Sequence, residues 1–144
     1  MQFMNILCAY DGSKISKQAL ENAAALAKSN PGAVLDVVHV ASMPSLVVGE
    51  ALIATPAVMS GEYYEAAEEI AEEARQRLLS LSQPADVHIL NGNPGRMIIE
   101  HAERTNRDLI IIGSRGLNGV REWVLGSVSH YVVQHAKIPV LVIK

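Results

Sequence analysis

Short, nearly uninterrupted apolar runs recur along this chain, and between them apolar residues return every three or four positions. The runs are "MNILCA", "AVLDVVHV", "DVHIL", "DLIIIG" and "IPVLVIK". Their length and continuity predict strands buried on both faces. The first intervening stretch, "SKQALENAAALAKS", gathers Ala19, Leu20, Ala23, Ala24 and Ala27 on one helical face, and "NPG" ends it. A second helix carries Tyr64, Ala67, Ala71, Ala74, Leu78 and Leu81 at helical spacing. Glu62, Glu65, Glu68, Glu69, Glu72 and Glu73 fill its early turns and Arg75 and Arg77 follow, an order that complements the helix dipole. The acidic run reads most simply as a solvated face. "NGNPGRMIIEHAER" opens a third helix, with Asn93 as cap and Pro94 at the first helical position. "SVSHYVVQHA" is the fourth.

The resulting β-α-β-α-β-α-β-α-β order predicts an α/β fold: one parallel sheet, right-handed crossovers and helices on both faces. Residues 1–144 fit a single domain, with no repeat, linker or low-complexity tract. The connection from Ala41 to about Gly61 is longer than most loops and reads equally as a lid or as a surface loop.

Composition sharpens this picture. The hydrophobic share is 49% with only 4% aromatic residues, so the core is built from Val, Ile, Leu and Ala. Net charge is −3, which argues against bulk nucleic-acid binding. The single cysteine, Cys8, lies in an apolar run and reads as a buried structural thiol. The N-terminus lacks the marks of a signal peptide, and the longest apolar stretch, "SLVVGEALIATPAVM", is short for a membrane span and contains Glu50 and Pro56. A soluble cytoplasmic protein without membrane contact is the expectation. His39, His88, His101, His130 and His135 are scattered, and no metal spacing unites them. Each reads as packed or solvated.

The candidate chemistry lies in "GSRGLNGVREWVLGS", residues 113–127, between the fourth strand and the fourth helix. In open α/β sheets ligands bind beyond the carboxyl ends of the strands, where strand order reverses. Glycine lets backbone N–H groups approach an anion, and a helix N-terminus attracts phosphate. Ser127 adds a hydroxyl there. The P-loop pattern and the pyrophosphatase-type loop after strand one are absent, and the acids and lysine of a response-regulator receiver are not in place.

Gly113-x-x-Gly116, nine residues, then Gly126-Ser127 is similar to the G-2x-G-9x-G-[S/T] pattern of the universal stress protein family. "AYDGS" after strand one, "HV" ending strand two, "GNP" after strand three and the terminal "IPVLVIK" extend the resemblance over essentially the whole chain. The resemblance implies a Rossmann-like, doubly wound five-stranded sheet in the order 3-2-1-4-5, and the ATP-binding branch of the family. Strands one and four become neighbours, so Asp11 and Gly113 face one crevice. Carried over to this sequence, Gly113, Arg115, Gly116, Gly126, Ser127 and Val128 line the phosphate and ribose side, and Ile112 is a further nucleotide-binding position. Asp11 reaches ribose, the adenine edge or a nucleotide-bound Mg2+; Val40 offers its backbone to adenine; Ala9 stands where some relatives have proline. Asp11 can instead act only as an N-terminal acid of the first helix, and Arg115 either pairs with phosphate or stands solvated. Trp123 and Leu125 read as apolar anchors of the loop.

The implied function is a regulatory or sensor module of the stress response that binds ATP, ADP or AMP. It would act with a protein partner that the sequence does not name. Two other readings stay open: a slow ATPase or nucleotidyl-transfer enzyme, and an interaction protein that binds no nucleotide. No paired carboxylates or Ser–His constellation lies near the loop to activate a nucleophile. The resemblance also implies a homodimer through the fifth strand, Pro139 to Lys144, whose apolar edge invites pairing.

Overall fold

The computed structural model describes residues 2–42, 46–48, 51–53, 57–115 and 125–144. Five of its strands form one all-parallel sheet: β1 (Asn5–Ala9), β2 (Val34–Ala41), β5 (Asp86–Asn91), β6 (Leu109–Gly113) and β7 (Val140–Ile143). Their spatial order is β5-β2-β1-β6-β7. Counted along the sheet strands alone, this is the expected order 3-2-1-4-5. β1 is central, and Ile6, Leu7 and Cys8 are fully buried, as an apolar run covered on both faces requires.

Helices α1 (Lys14–Ser29) and α2 (Ala57–Ser80) cover one face; α3 (Pro94–Arg104) and α4 (Ser127–His135) cover the other. The side-chain pattern decides this. Ile6, Cys8 and Ile111 pack with Ala19, Ala23, Ala74 and Leu78. The alternating residues Leu7, Ala9 and Ile110 pack with Ile98, Ala102 and Val132. Ser13 caps α1 by accepting a bond from the Ser16 N–H at 3.2 Å. Asn93 caps α3 through the Arg96 N–H at 3.1 Å, with Pro94 next, as its sequence predicts.

Three details differ from the sequence expectation. The connection after β2 contains a two-stranded antiparallel sheet, β3 (Leu46–Val48) with β4 (Ala51–Ile53). Helix α2 starts at Ala57, ahead of Gly61. Glu62 therefore lies beyond the first turn, where the dipole effect has faded. Glu62, Glu65, Glu68, Glu69, Glu72 and Glu73 are all exposed, as a solvated face requires, and Glu68, Glu72 and Glu73 meet cations. Arg75 Nη1 meets Glu72 at 3.2 Å, and Lys17 Nζ meets Glu73 at 3.2 Å. Tyr64 is 48% exposed and so does not belong to the apolar face that Ala67, Ala71, Ala74 and Leu78 form. No helix of the described residues is long and apolar enough to cross a membrane.

Candidate functional site

The point where strand order reverses lies between β1 and β6, which pair in parallel up to Cys8↔Ile111. Past that pair, the chain leaves β1 through Ala9, Tyr10 and Asp11 and leaves β6 through Ile112 and Gly113. Ala9 and Ile112 are buried, while Asp11 is half-buried. Tyr10 N–H bonds the Val38 carbonyl at 2.9 Å, and the buried His39 ring places Nδ1 at 2.9 Å from the Tyr10 carbonyl. The end of β1 is thus tied to the end of β2, where half-buried Val40 stands.

The turn into α1 is compact. Asp11 Oδ1 accepts from the Ser13 N–H at 2.9 Å, so the carboxylate does support the start of α1. Gly12 takes φ +82°, a conformation side-chained residues seldom adopt. The turn then meets β6. A Cβ on Gly113 would sit 2.8 Å from Ile15 Cγ2 in the first turn of α1. Glycine is required there for packing as much as for any ligand.

The return from the loop is equally well determined. The Gly126 N–H bonds the Ser114 carbonyl at 2.7 Å, and Ser114 N–H bonds the Ile143 carbonyl at 2.7 Å. Buried Ser129 turns its hydroxyl back onto the Ser114 carbonyl at 2.8 Å and the Gly126 carbonyl at 3.0 Å. These bonds seat the N-terminus of α4 against the end of β6. Gly126 is the cap residue and contributes no side-chain bond. The first intrahelical bond runs from His130 N–H to the Gly126 carbonyl at 2.9 Å. The N–H groups of Ser127, Val128 and Ser129 therefore precede any helical acceptor. Ser127 is exposed and Val128 half-buried, so this end of the helix faces solvent. A Cβ on Gly126 would lie 3.4 Å from both Arg115 Cα and the Ser114 carbonyl oxygen.

The structure thus brings Ala9, Asp11, Ile112, Gly113, Arg115, Gly126, Ser127 and Val128 to the ends of two adjacent strands, with Val40 at the end of the next. Gly116, like Trp123, lies outside the described residues, as does part of the connection from Ala41 to Gly61. The N–H groups of the first turn of α4, without an acceptor among the described residues, and the helix dipole can hold an anion at this mouth. The His39 Nδ1–H donates to the Tyr10 carbonyl, which fixes the orientation of the ring.

Sequence reasoning missed two things. Ser114 and Ser129 hold the loop ends together; the serine at the third residue of α4 was the only signal. It also passed over a cluster on the α3 face, toward the amino ends of the strands, where Asp36, His88 and His101 converge. They come from β2, β5 and α3, so no spacing along the chain announces them. Burial holds the His101 imidazole below its ordinary value and so favours its neutral form.

Comparison with known proteins gives a consistent result. A model of the universal stress protein family matches residues 2–144. Universal stress protein YxiE of Bacillus subtilis is 33% identical over 156 residues, spanning 99% of this chain and 99% of its own. Universal stress protein UspA from Lactobacillus plantarum has a similar structure, with TM-score 0.85, 28% identity, and 100% and 99% of the two chains covered. The universal stress protein from Archaeoglobus fulgidus in complex with dAMP is similar at TM-score 0.72 and 26% identity, with 100% of each chain covered.

Proposed function

The chain belongs to the universal stress protein family, and from that premise we propose that it is a regulatory module that binds an adenine nucleotide across the ends of β1 and β6. One observation carries this reading: Ser127, Val128 and Ser129 open α4 with N–H groups that precede any helical acceptor, at the point where strand order reverses. A dAMP complex of a relative with the same fold supports the choice of an adenine nucleotide.

In this reading the N–H groups of Ser127 and Val128 take phosphate oxygens, the Ser127 hydroxyl donates beside them, and Gly126 leaves room for the approach. Gly113, Gly116 and Arg115 border the phosphate, and Ile112 underlies it. Ala9 and Val40 face the base. Asp11 holds Ser13 with Oδ1, which leaves Oδ2 for ribose or for Mg2+ carried by ATP. A bound ATP would supply a charged phosphate chain at this mouth. In this reading the module binds its nucleotide, and hydrolysis is slow or absent. A second copy pairs through Pro139 to Lys144, since β7 is a sheet edge and Leu141 is 41% exposed.

Calorimetric titration with ATP, ADP and AMP, with and without Mg2+, tests the site. Binding by the unmodified chain and its loss in a folded Gly126→Val variant support it; unchanged affinity in that variant overturns it. Phosphate release at about 1–1000 per second would replace the module by an enzyme. Light scattering tests the dimer: a monomer mass at high micromolar concentration removes it, whereas a dimer that Val142→Lys dissociates supports it.

A further inference from the structure

Asp36 is the third residue of β2, pairs with Leu7 and Asp86, and is buried on the face that α3 covers. A buried carboxylate needs compensating partners. Its Oδ2 has three neighbours: Arg107 Nη2 at 2.9 Å, His101 Nε2 at 3.4 Å and His88 Nε2 at 3.5 Å. Only the Arg107 distance matches an ordinary N–H···O bond, which centres on about 2.9–3.0 Å. The imidazole distances are longer. The His101 distance equals, and the His88 distance is about 0.1 Å beyond, the separation between two ligand atoms of a tetrahedral zinc ion, roughly 3.3–3.4 Å for bonds of about 2.0–2.1 Å. All three ligand atoms lie within 4.8 Å of one another.

We propose that Asp36, His88 and His101 form a binding site for a divalent ion of the zinc class, separate from the nucleotide site at the other end of the strands. Two imidazole nitrogens and one carboxylate oxygen select zinc-like ions over Mg2+ and Ca2+, which take oxygen donors. The site has a route in, because the His88 side chain is 40% exposed while Asp36 and His101 are buried. It supplies three protein ligands and leaves the fourth position to water.

Two arginines close the metal-free arrangement. Arg107 neutralises Asp36, yet its Nη1 is buried without a hydrogen-bond partner among the described residues. The guanidinium is incompletely seated, and it competes with the ion for the carboxylate. Arg104 Nη2 lies 3.3 Å from His101 Nδ1, so Nδ1 accepts and Nε2 carries the ring proton toward Asp36. Coordination through Nε2 requires that proton to move to Nδ1 and Arg104, which is exposed, to swing away.

The test is a competition titration of Zn2+ against a chromophoric chelator, on chelator-treated full-length chain without an affinity tag. One Zn2+ per chain is expected. His88→Ala should weaken it at least tenfold, because a ligand is lost, while nucleotide binding is untouched. The double variant His130→Ala/His135→Ala should bind as the unmodified chain does. Arg107→Ala should bind more tightly, with a Zn2+-dependent rise in melting temperature that His88→Ala lacks. No zinc uptake by the unmodified chain, or equal uptake by His88→Ala, overturns the site. So does loss of uptake in the His130→Ala/His135→Ala variant alone, because it would place the ion on the exposed face of α4. Since His88 lies outside the nucleotide site, failure here leaves the nucleotide reading standing.

Discussion

The two ends of the sheet handle charge by opposite means. At the carboxyl ends of β1 and β6 the groups of the proposed site belong to the backbone: the N–H groups that open α4, glycines that keep side chains out, and serines that hold the loop ends. Toward the amino ends, on the α3 face, side chains do everything: Asp36 sits among Arg107, His101 and His88. A backbone site tolerates varied side chains but not added Cβ atoms. A side-chain site shows the reverse sensitivity. Its members must be the right chemical type, and any of them can come from a distant part of the chain.

The largest effect that separates the two is expected at the side-chain end. Arg107→Ala leaves the buried Asp36 carboxylate without its cation, and a loss of about 3–5 kcal/mol is expected in urea denaturation. The paired change Asp36→Leu/Arg107→Leu should lose less than the single change, because no unpaired charge remains buried. If the single variant is as stable as the unmodified chain, the cluster is not an electrostatic unit and the contrast between the ends fails.

At the backbone end the corresponding change is an added methyl group. Gly113→Ala puts a Cβ 2.8 Å from Ile15 Cγ2, and overpacking of this kind costs about 1–3 kcal/mol. Gly126→Ala has more room, at 3.4 Å, and a φ of −62° that alanine accepts. Its stability should stay within about 0.5 kcal/mol while adenine-nucleotide affinity falls. Equal loss of stability in both variants would mean that Gly126, too, serves packing first.

A smaller effect lies on the α1–α2 face just past the carboxyl end of β1, where Tyr10 donates to Glu73 and Lys17 joins them. The bond from Tyr10 is the main reason the Glu73 carboxyl is held below its ordinary value of 4.5, against the opposing influence of burial. The sign follows: this stabilisation is complete above about pH 4.5 and fades as pH falls through the lower folded-state value. Tyr10→Phe should remove about 1 kcal/mol or less, since Glu73 is 44% exposed. Its stability should also fall less steeply than that of the unmodified chain below pH 4.5, by chemical denaturation across pH 3–7. An unchanged slope would show that Lys17 and Arg77 suffice.

The smallest expected effect is none at all. Burial pushes the Cys8 thiol up to about 12, so a thiol reagent should not react without denaturant. Rapid labelling would mean that β1, the strand both ends share, opens readily.

The sequence by itself determined the order of the five sheet strands and four helices and the Asn93 cap, and it marked the glycine loop after β6 as a candidate. These depend on periodicity, on cap chemistry and on spacing within one segment, all of which are local. The family pattern in Gly113, Gly116, Gly126 and Ser127 then carried the strand order as well. The β3–β4 pairing and the true start of α2 were not legible, because the connection after β2 has no strong period and Gly61 resembles a boundary. Only the tertiary structure decided that Gly113 must be glycine for the sake of Ile15, and that Asp36, His88 and His101 meet. Both depend on contacts between residues far apart in the chain. In β2 the residue pattern marks Asp36 merely as a polar interruption of an apolar strand. Its meaning comes from burial, which makes an unpaired charge intolerable and gathers partners from β5, α3 and the segment before β6.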